Sequence, residues 1–327
     1  MVKLIFELLG PYYKLASAEV KAVIEGKGFN WREKNSSKEV LVLETDCSFD
    51  YIAPRLGLTH RVLLHYYSGS QEEVVAGQLN IELPEGSAKV ETRRIVGTPG
   101  ETQKIKNILG NSIRNPIDLI DPDHQVLVLL SDQCHIGRLL YSSDKEGYKK
   151  RAVKNRPFFF PISLEPRYAR ALINLARVKE GDTLHDPFCG TGGVLLEALF
   201  LGLRTSGGDI DRKMVLGCRR NLKEFGVNCK LEVGDVAETI PNDLDNIVTD
   251  PPYGRASSTS GEDAANIYRR LFQTARERLI EGGYLVVILP DKKYVELAKG
   301  FNLIEGFSTK VHSSLERHYL VFQKINL

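Results

Sequence analysis

Asp250, Pro251, Pro252 and Tyr253 follow a strand-like run at 245–249, where an ordinary turn would use Gly, Asn or Asp. Consecutive prolines fix an extended backbone without spare N–H groups, so a carbonyl there is presented rigidly. A carboxylate and a carbonyl are both acceptors. Together, Asp250 and the Pro251 carbonyl can take the two N–H bonds of an exocyclic amine and aim its delocalised lone pair at an electrophilic carbon. Tyr253 adds a ring face for a base removed from its stack, and Gly254 lets the chain turn. No strong general base is needed, because the alkylated amine is briefly acidic and Asp250 can relay its proton. Most of the rate would then come from alignment. Arg255 stays open between phosphate contact and solvation, and 256–263, rich in Ser, Thr and Gly, reads as a mobile flap.

A second set of residues stands upstream in HDPFCGTGG, 185–193. Its glycines allow a tight turn and close backbone approach to a ligand, and the helix that follows offers free N–H groups. No Lys-Ser/Thr follows, which speaks against a nucleoside triphosphate loop. Asp186 would repel a pyrophosphate but attract a cationic amino group, so an amino-acid-bearing nucleotide suits the turn better. Asp209 lies 19 residues after Gly190, near the spacing at which a carboxylate accepts ribose hydroxyls. Asp235 falls where an adenine amino group would lie. Each acid could also serve as a helix cap, but three at successive strand ends are not explained by caps alone.

The elements that must position these residues alternate regularly. Helices are expected at 165–178, 193–201, 212–225 and 265–280. Strands are expected at 183–186, 205–209, 230–233, 245–249 and 284–289, with two more near 304 and at 318–322. This succession predicts a parallel, doubly wound sheet with its crevice at the carboxyl ends of the strands. The earlier chain reads as two α+β units. The first has strands at 4–9 and 40–44 around a helix at 17–26. The second has strands at 89–95, 125–131 and 135–141, a helix at 102–113 and a turn at 97–100. Apolar residues become rare between 142 and 156, which reads as a linker.

At 327 residues and 42% apolar content the chain can supply several cores. The net charge of +2 says little, but its distribution says more. Six Lys/Arg against two acids occupy 89–114, and six against one occupy 145–156. Two such clusters point to a polyanion or a solvated face. No stretch of about 18 apolar residues occurs, and the start lacks a signal-type segment, so a cytoplasmic location is expected. Five cysteines without a CxxC pair suggest neither disulfides nor zinc. The seven histidines show no metal-like spacing, so no metal is expected, and His185 reads as packed.

Together HDPFCGTGG, GGDID (207–211), VGDVAE (233–238) and TDPPYGR (249–255) resemble the motif series of class I S-adenosylmethionine-dependent methyltransferases, in the branch that methylates amino groups. PFFFPISLEPRYARALINLA (157–176) resembles the extra N-terminal motif of that branch. NPIDLIDPDHQVLVLL (115–130) and the basic segment after it resemble a THUMP RNA-binding domain. As a whole the chain resembles archaeal tRNA guanine N2-methyltransferases acting at position 10. The resemblance implies a ferredoxin-like unit at 1–60, a THUMP domain at 61–141, a basic linker at 142–156 and a Rossmann-like methyltransferase domain with a mostly parallel seven-stranded sheet at 157–327. It assigns S-adenosylmethionine to Asp186, Pro187, Phe188, Gly190, Thr191, Gly192, Asp209, Ile210, Asp235 and Val236, and catalysis to Asp250, Pro251, Pro252 and Tyr253. Arg93, Arg94, Lys104 and Lys106 are expected on tRNA phosphates, supported by Lys149, Lys150, Arg151 and Lys154. A monomer is expected, with an accessory subunit left open. Also open are the number of methyl groups, another tRNA position or rRNA, an adenine N6-methyltransferase, which shares the tetrad, and a noncatalytic RNA-binding protein.

Overall fold

The computed structural model describes all residues except 77, 78, 80, 96–101, 162, 254–261, 313, 314, 326 and 327. The expected turn at 97–100, Gly254, Arg255 and most of the expected flap lie outside the described residues. The chain forms two compact units, Met1–Ser143 and Asp144–Leu327.

The first unit contains strands β1 (Val2–Leu8), β2 (Trp31–Glu33), β3 (Val40–Thr45), β4 (Thr59–Gly69), β5 (Ala88–Arg94), β6 (His124–Leu130) and β7 (Cys134–Ser142). Helices α1 (Tyr13–Gly26), α2 (Phe49–Ile52), α3 (Gln71–Val75) and α4 (Thr102–Ser112) interleave with them. All seven strands join one sheet in the order β2-β3-β1-β4-β7-β6-β5. It is antiparallel except for the β5–β6 pair. β4, which the sequence reading did not assign as a strand, runs through residue 60 and pairs with β1 on one side and β7 on the other. The expected boundary at 60 therefore falls inside a strand shared by both halves of the sheet. Buried Glu19 on α1 accepts the N–H groups of Gly57 and Leu58 at 2.7 and 2.9 Å, fixing the approach to β4.

The second unit opens with α5 (Lys145–Arg151), where the sequence suggested a linker, and continues through α6 (Pro166–Leu175). Then come β8 (Thr183–Asp186), α7 (Gly193–Phe200), β9 (Arg204–Asp209), α8 (Arg212–Glu224) and β10 (Lys230–Val233). They are followed by α9 (Val236–Thr239), β11 (Leu244–Thr249), α10 (Ala264–Arg278), β12 (Leu279–Leu289), β13 (Phe301–His312) and β14 (Leu315–Lys324). The sheet order is β10-β9-β8-β11-β12-β14-β13. Its first five strands are parallel, and an antiparallel β13–β14 hairpin completes it. The order reverses between β8 and β11, so a crevice must open beyond the ends of those two strands. Ile247, Leu285, Val287 and Leu289 of the sheet pack on Tyr268, Leu271 and Phe272 of α10, which makes the β11 end a rigid support. No described helix is long and apolar enough to cross a membrane.

Candidate active site

At the switch point, Asp186 ends β8 and is buried at 2% exposure. One of its oxygens, Oδ1, accepts the Thr249 hydroxyl at 2.6 Å and the Phe188 N–H at 3.2 Å. Burial pushes the carboxyl up to about 7, and the charges of Asp209 and Asp250 push the same way. A cation brought to this point would draw off the proton and leave a neutralised pair.

The glycine turn after Asp186 is held from two sides. Asp209, at the end of β9, accepts the Gly190 N–H through Oδ2 and the Asp211 N–H through Oδ1, both at 2.9 Å. Burial is the first reason its carboxyl lies above the usual range. From the other side, Asn221 on α8 donates to the carbonyls of Thr191 and Phe158 at 2.9 and 2.6 Å and accepts the Phe158 N–H at 2.8 Å. It ties Phe158 to the turn. Ser163 and Thr191 also share a hydroxyl contact of 3.0 Å. The Phe158 ring lies so close to α8 that a Cβ on Gly217 would come within 2.0 Å of it.

These elements enclose a cavity of about 360 Å³, within the size range of small-molecule sites. Asp186, Pro187, Phe188, Gly190, Thr191, Asp209, Ile210, Asp235 and Val236 line it, and so do Asp250, Pro251, Pro252 and Tyr253. The cofactor residues and the tetrad expected from the sequence thus face one space. Gly192 is the exception. Its φ is +84°, and it caps α7 with a Cβ position only 2.6 Å from Cys218 Sγ, so it shapes the turn from behind. His185 is packed, with Nδ1 2.8 Å from Ser206 Oγ.

Asp235 has a structural task that the spacing argument left unresolved. It caps α9 in a full capping box with Glu238. It also accepts Arg270 Nη2 at 2.9 Å and Nε at 3.2 Å, and Arg270 reaches Glu262 Oε2 at 2.9 Å. Glu262, at the end of the segment expected as a flap, and Arg270 line the cavity. Arg270 was not found from the sequence, because α10 arrives there only through the fold.

In the proline-containing tetrad, Tyr253 donates its hydroxyl to Asp250 Oδ1. Burial, and then the Asp250 charge, hold that hydroxyl firmly protonated. Tyr268 on α10 donates to the Pro252 carbonyl at 2.7 Å, which pins the second proline. Burial pushes Asp250 up to about 6, while the nearby Arg317 acts in the opposite direction. Arg317, on β14, is another lining residue that the motif reading missed.

The basic residues divide. Lys104, Lys149, Lys150 and Lys154 are exposed and Lys106 is half-buried. Arg94 is exposed and donates to Thr102 Oγ1 at 3.2 Å. Arg93 lies 2.6 Å from the buried carboxylate of Glu7, which Arg61 also reaches at 2.8 Å. Arg151 departs from its expected place among the phosphate-facing residues: it turns inward to Glu197 on α7 at 2.7 Å, beside Arg170 at 2.7 Å. Glu197 is fully buried, and a buried carboxylate requires cations. Lys149 meets Glu146 at 3.6 Å on the exposed side of α5.

The residues present fit S-adenosylmethionine. Asp186 would suit its ammonium and Asp209 its ribose hydroxyls, and Ile210, 59% exposed beside the cavity, would offer an apolar face to the adenine. A family model described as UPF0020, RMKL-like, methyltransferase domain matches residues 154–317, so the second unit contains a methyltransferase domain. The tRNA (guanine(10)-N2)-dimethyltransferase of Methanothermobacter thermautotrophicus is 32% identical over 95% of this chain and 96% of its own length. That of Pyrococcus abyssi is 31% identical over 97% of this chain and 98% of its own. The chain belongs to the tRNA (guanine(10)-N2)-dimethyltransferase family. In fold it is similar to TrmN from Thermus thermophilus, with a TM-score of 0.57 at 22% identity over 99% of this chain and all of that one.

Proposed function

We propose that this protein methylates the exocyclic N2 amine of guanosine 10 in tRNA with S-adenosylmethionine as donor, and that two methyl groups are added, as the names of its relatives state for them. The observation that carries the reading is that Asp250 and Pro251 face the same cavity as Asp186 and Asp209. When bound, the cofactor would be held by Asp186, Asp209, Ile210 and the turn at Gly190 and Thr191, and would supply an electrophilic methyl group. Asp250 and the Pro251 carbonyl accept the two N–H bonds of the guanine amine, so that its lone pair points along the line of transfer. Asp250 then takes the proton released as the nitrogen becomes cationic. Tyr268 stiffens this loop through Pro252, and the Tyr253 ring supports the base once it has left its stack.

Cytoplasmic tRNA would be gripped by the added regions. We read 1–60 as the ferredoxin-like part and 61–141 as the THUMP part of one continuous sheet, with Arg94, Lys104, Lys106, Lys149, Lys150 and Lys154 on phosphates. Arg93 can contribute its exposed edge while anchored at Glu7. The test is mass spectrometry of nucleosides from unmodified tRNA incubated with protein and labelled cofactor. Wild type should yield N2-methylated and N2,N2-dimethylated guanosine, and Asp250→Ala neither; methyl-labelled adenosine would point to the rival chemistry.

A further inference from the structure

Arg317 belongs to the antiparallel hairpin, remote in sequence from every motif of the cofactor and substrate loops, yet it lines the cavity beside Asp250. Its guanidinium carbon lies 5.9 Å from the centre of the Tyr253 ring, within the range of a cation–π contact. The same tyrosine gives its hydroxyl to Asp250 Oδ1. Arg317, Tyr253 and Asp250 therefore form a short chain from β14 to the end of β11.

We propose that Arg317 is a positioning residue for methyl transfer: its fixed positive charge keeps Asp250 an ionised acceptor and seats Tyr253 on one carboxylate oxygen, leaving the other for the substrate amine. The inference rests on the reading of Asp250 given above.

The groups around Asp250 make the need for a cation plain. From β8 comes Asp186, which repels a second carboxylate when ionised. From α10 comes the neutral Tyr268, already bound to the Pro252 carbonyl. The tetrad itself adds Tyr253, and β14 adds Tyr319 next to Arg317. Burial favours the neutral carboxyl, and among these neighbours Arg317 supplies the opposing charge. A protonated Asp250 would offer a donor where the amine needs an acceptor. Because positive charge builds on the amine during transfer, a bare cation nearby would slow the step; Arg317 helps only through the anion it sustains. A guanidinium suits the task, since it stays charged at every working pH.

The experiment measures kcat for methyl transfer to unmodified tRNA from pH 5 to 9 with wild type, Arg317→Met and Arg317→Lys, alongside cofactor affinity and melting temperature. Loss of the charge should move the acid limb of the profile up by about one to three pH units. Arg317→Met should thus be poor near neutrality and recover in alkaline buffer with unchanged cofactor affinity, while Arg317→Lys stays near wild type. A wild-type limb in Arg317→Met, or an equal loss at every pH, would overturn the proposal. Arg317→Gln gives the same comparison should the methionine variant not fold. A wild type that transfers no methyl at any pH would remove the reading on which the inference stands, and the inference with it.

Discussion

Thr249 donates its hydroxyl to Asp186 Oδ1 at 2.6 Å, bridging the ends of two neighbouring parallel strands. The acid assigned to the cofactor ammonium and the loop assigned to the substrate amine are thus braced against each other, since Asp250 is the next residue. Asp186 has a carboxyl raised to about 7, so near neutrality it binds a proton that a cationic ligand must displace. Affinity for S-adenosylmethionine should be highest above pH 7 and fall by up to about tenfold per unit below it. Calorimetry in buffers of different ionisation enthalpy should detect proton release on binding, and Asp186→Asn should abolish it. A flat pH dependence would show that Asp186 does not meet the ammonium.

On the proposed reading, Asp250 gives up stability for function. Its carboxyl is raised from the usual 3.8 to about 6, so the folded state binds its proton more tightly than the unfolded chain does. The stabilisation tied to that proton is complete below about pH 4 and is lost as pH rises through 6. Asp250→Asn should therefore match wild type near pH 4 and be more stable above pH 6, by at most about 3 kcal/mol. Its transfer rate should fall by about two to three orders of magnitude. Melting curves across pH, read beside activity, separate the two effects.

The Gly192→Ala variant should be destabilised by about 1–3 kcal/mol, because a side chain there combines a left-handed backbone with a clash. The clash is with Cys218 Sγ, 2.6 Å from the Cβ position. Adding Cys218→Ala should relieve the clash but not the backbone strain, so a double-mutant cycle in melting temperature should show partial rescue. Full additivity would mean that the two side chains do not meet.

The basic residues should separate into two kinds. Arg94→Ala, Lys150→Ala and Lys154→Ala should each lower the salt slope of tRNA binding by about one unit across RNA sequences. Arg151→Ala should leave the slope unchanged and instead lower the melting temperature. Its cost should be about 1–3 kcal/mol, because Arg170 still neutralises Glu197. Filter binding over a salt series distinguishes them.

Much of the second unit was legible because short strands alternate with amphipathic helices and stop at an acid or a turn, and the acids Asp186, Asp209 and Asp250 remain at those strand ends in space. What was illegible depended on partners distant in sequence. Arg151 looked solvent-facing in a dense run of charge, but buried Glu197 on another helix draws it inward. Arg270 and Arg317 carry no motif and reach the cavity only when α10 and β14 are docked. Gly192 read like its neighbours, since a glycine series does not reveal which member faces the ligand. β4 was missed because it begins where composition suggested a boundary between units.

The central claim is that an amine at the 2-position of the purine is held by Asp250 and the Pro251 carbonyl. It is tested most directly by single-turnover transfer to tRNA transcripts carrying guanosine or inosine at position 10, since inosine lacks only that amine. Labelled methyl should appear at position 10 of the guanosine transcript and be absent from the inosine transcript, although both bind with similar affinity. Equal labelling of the two transcripts would contradict the claim.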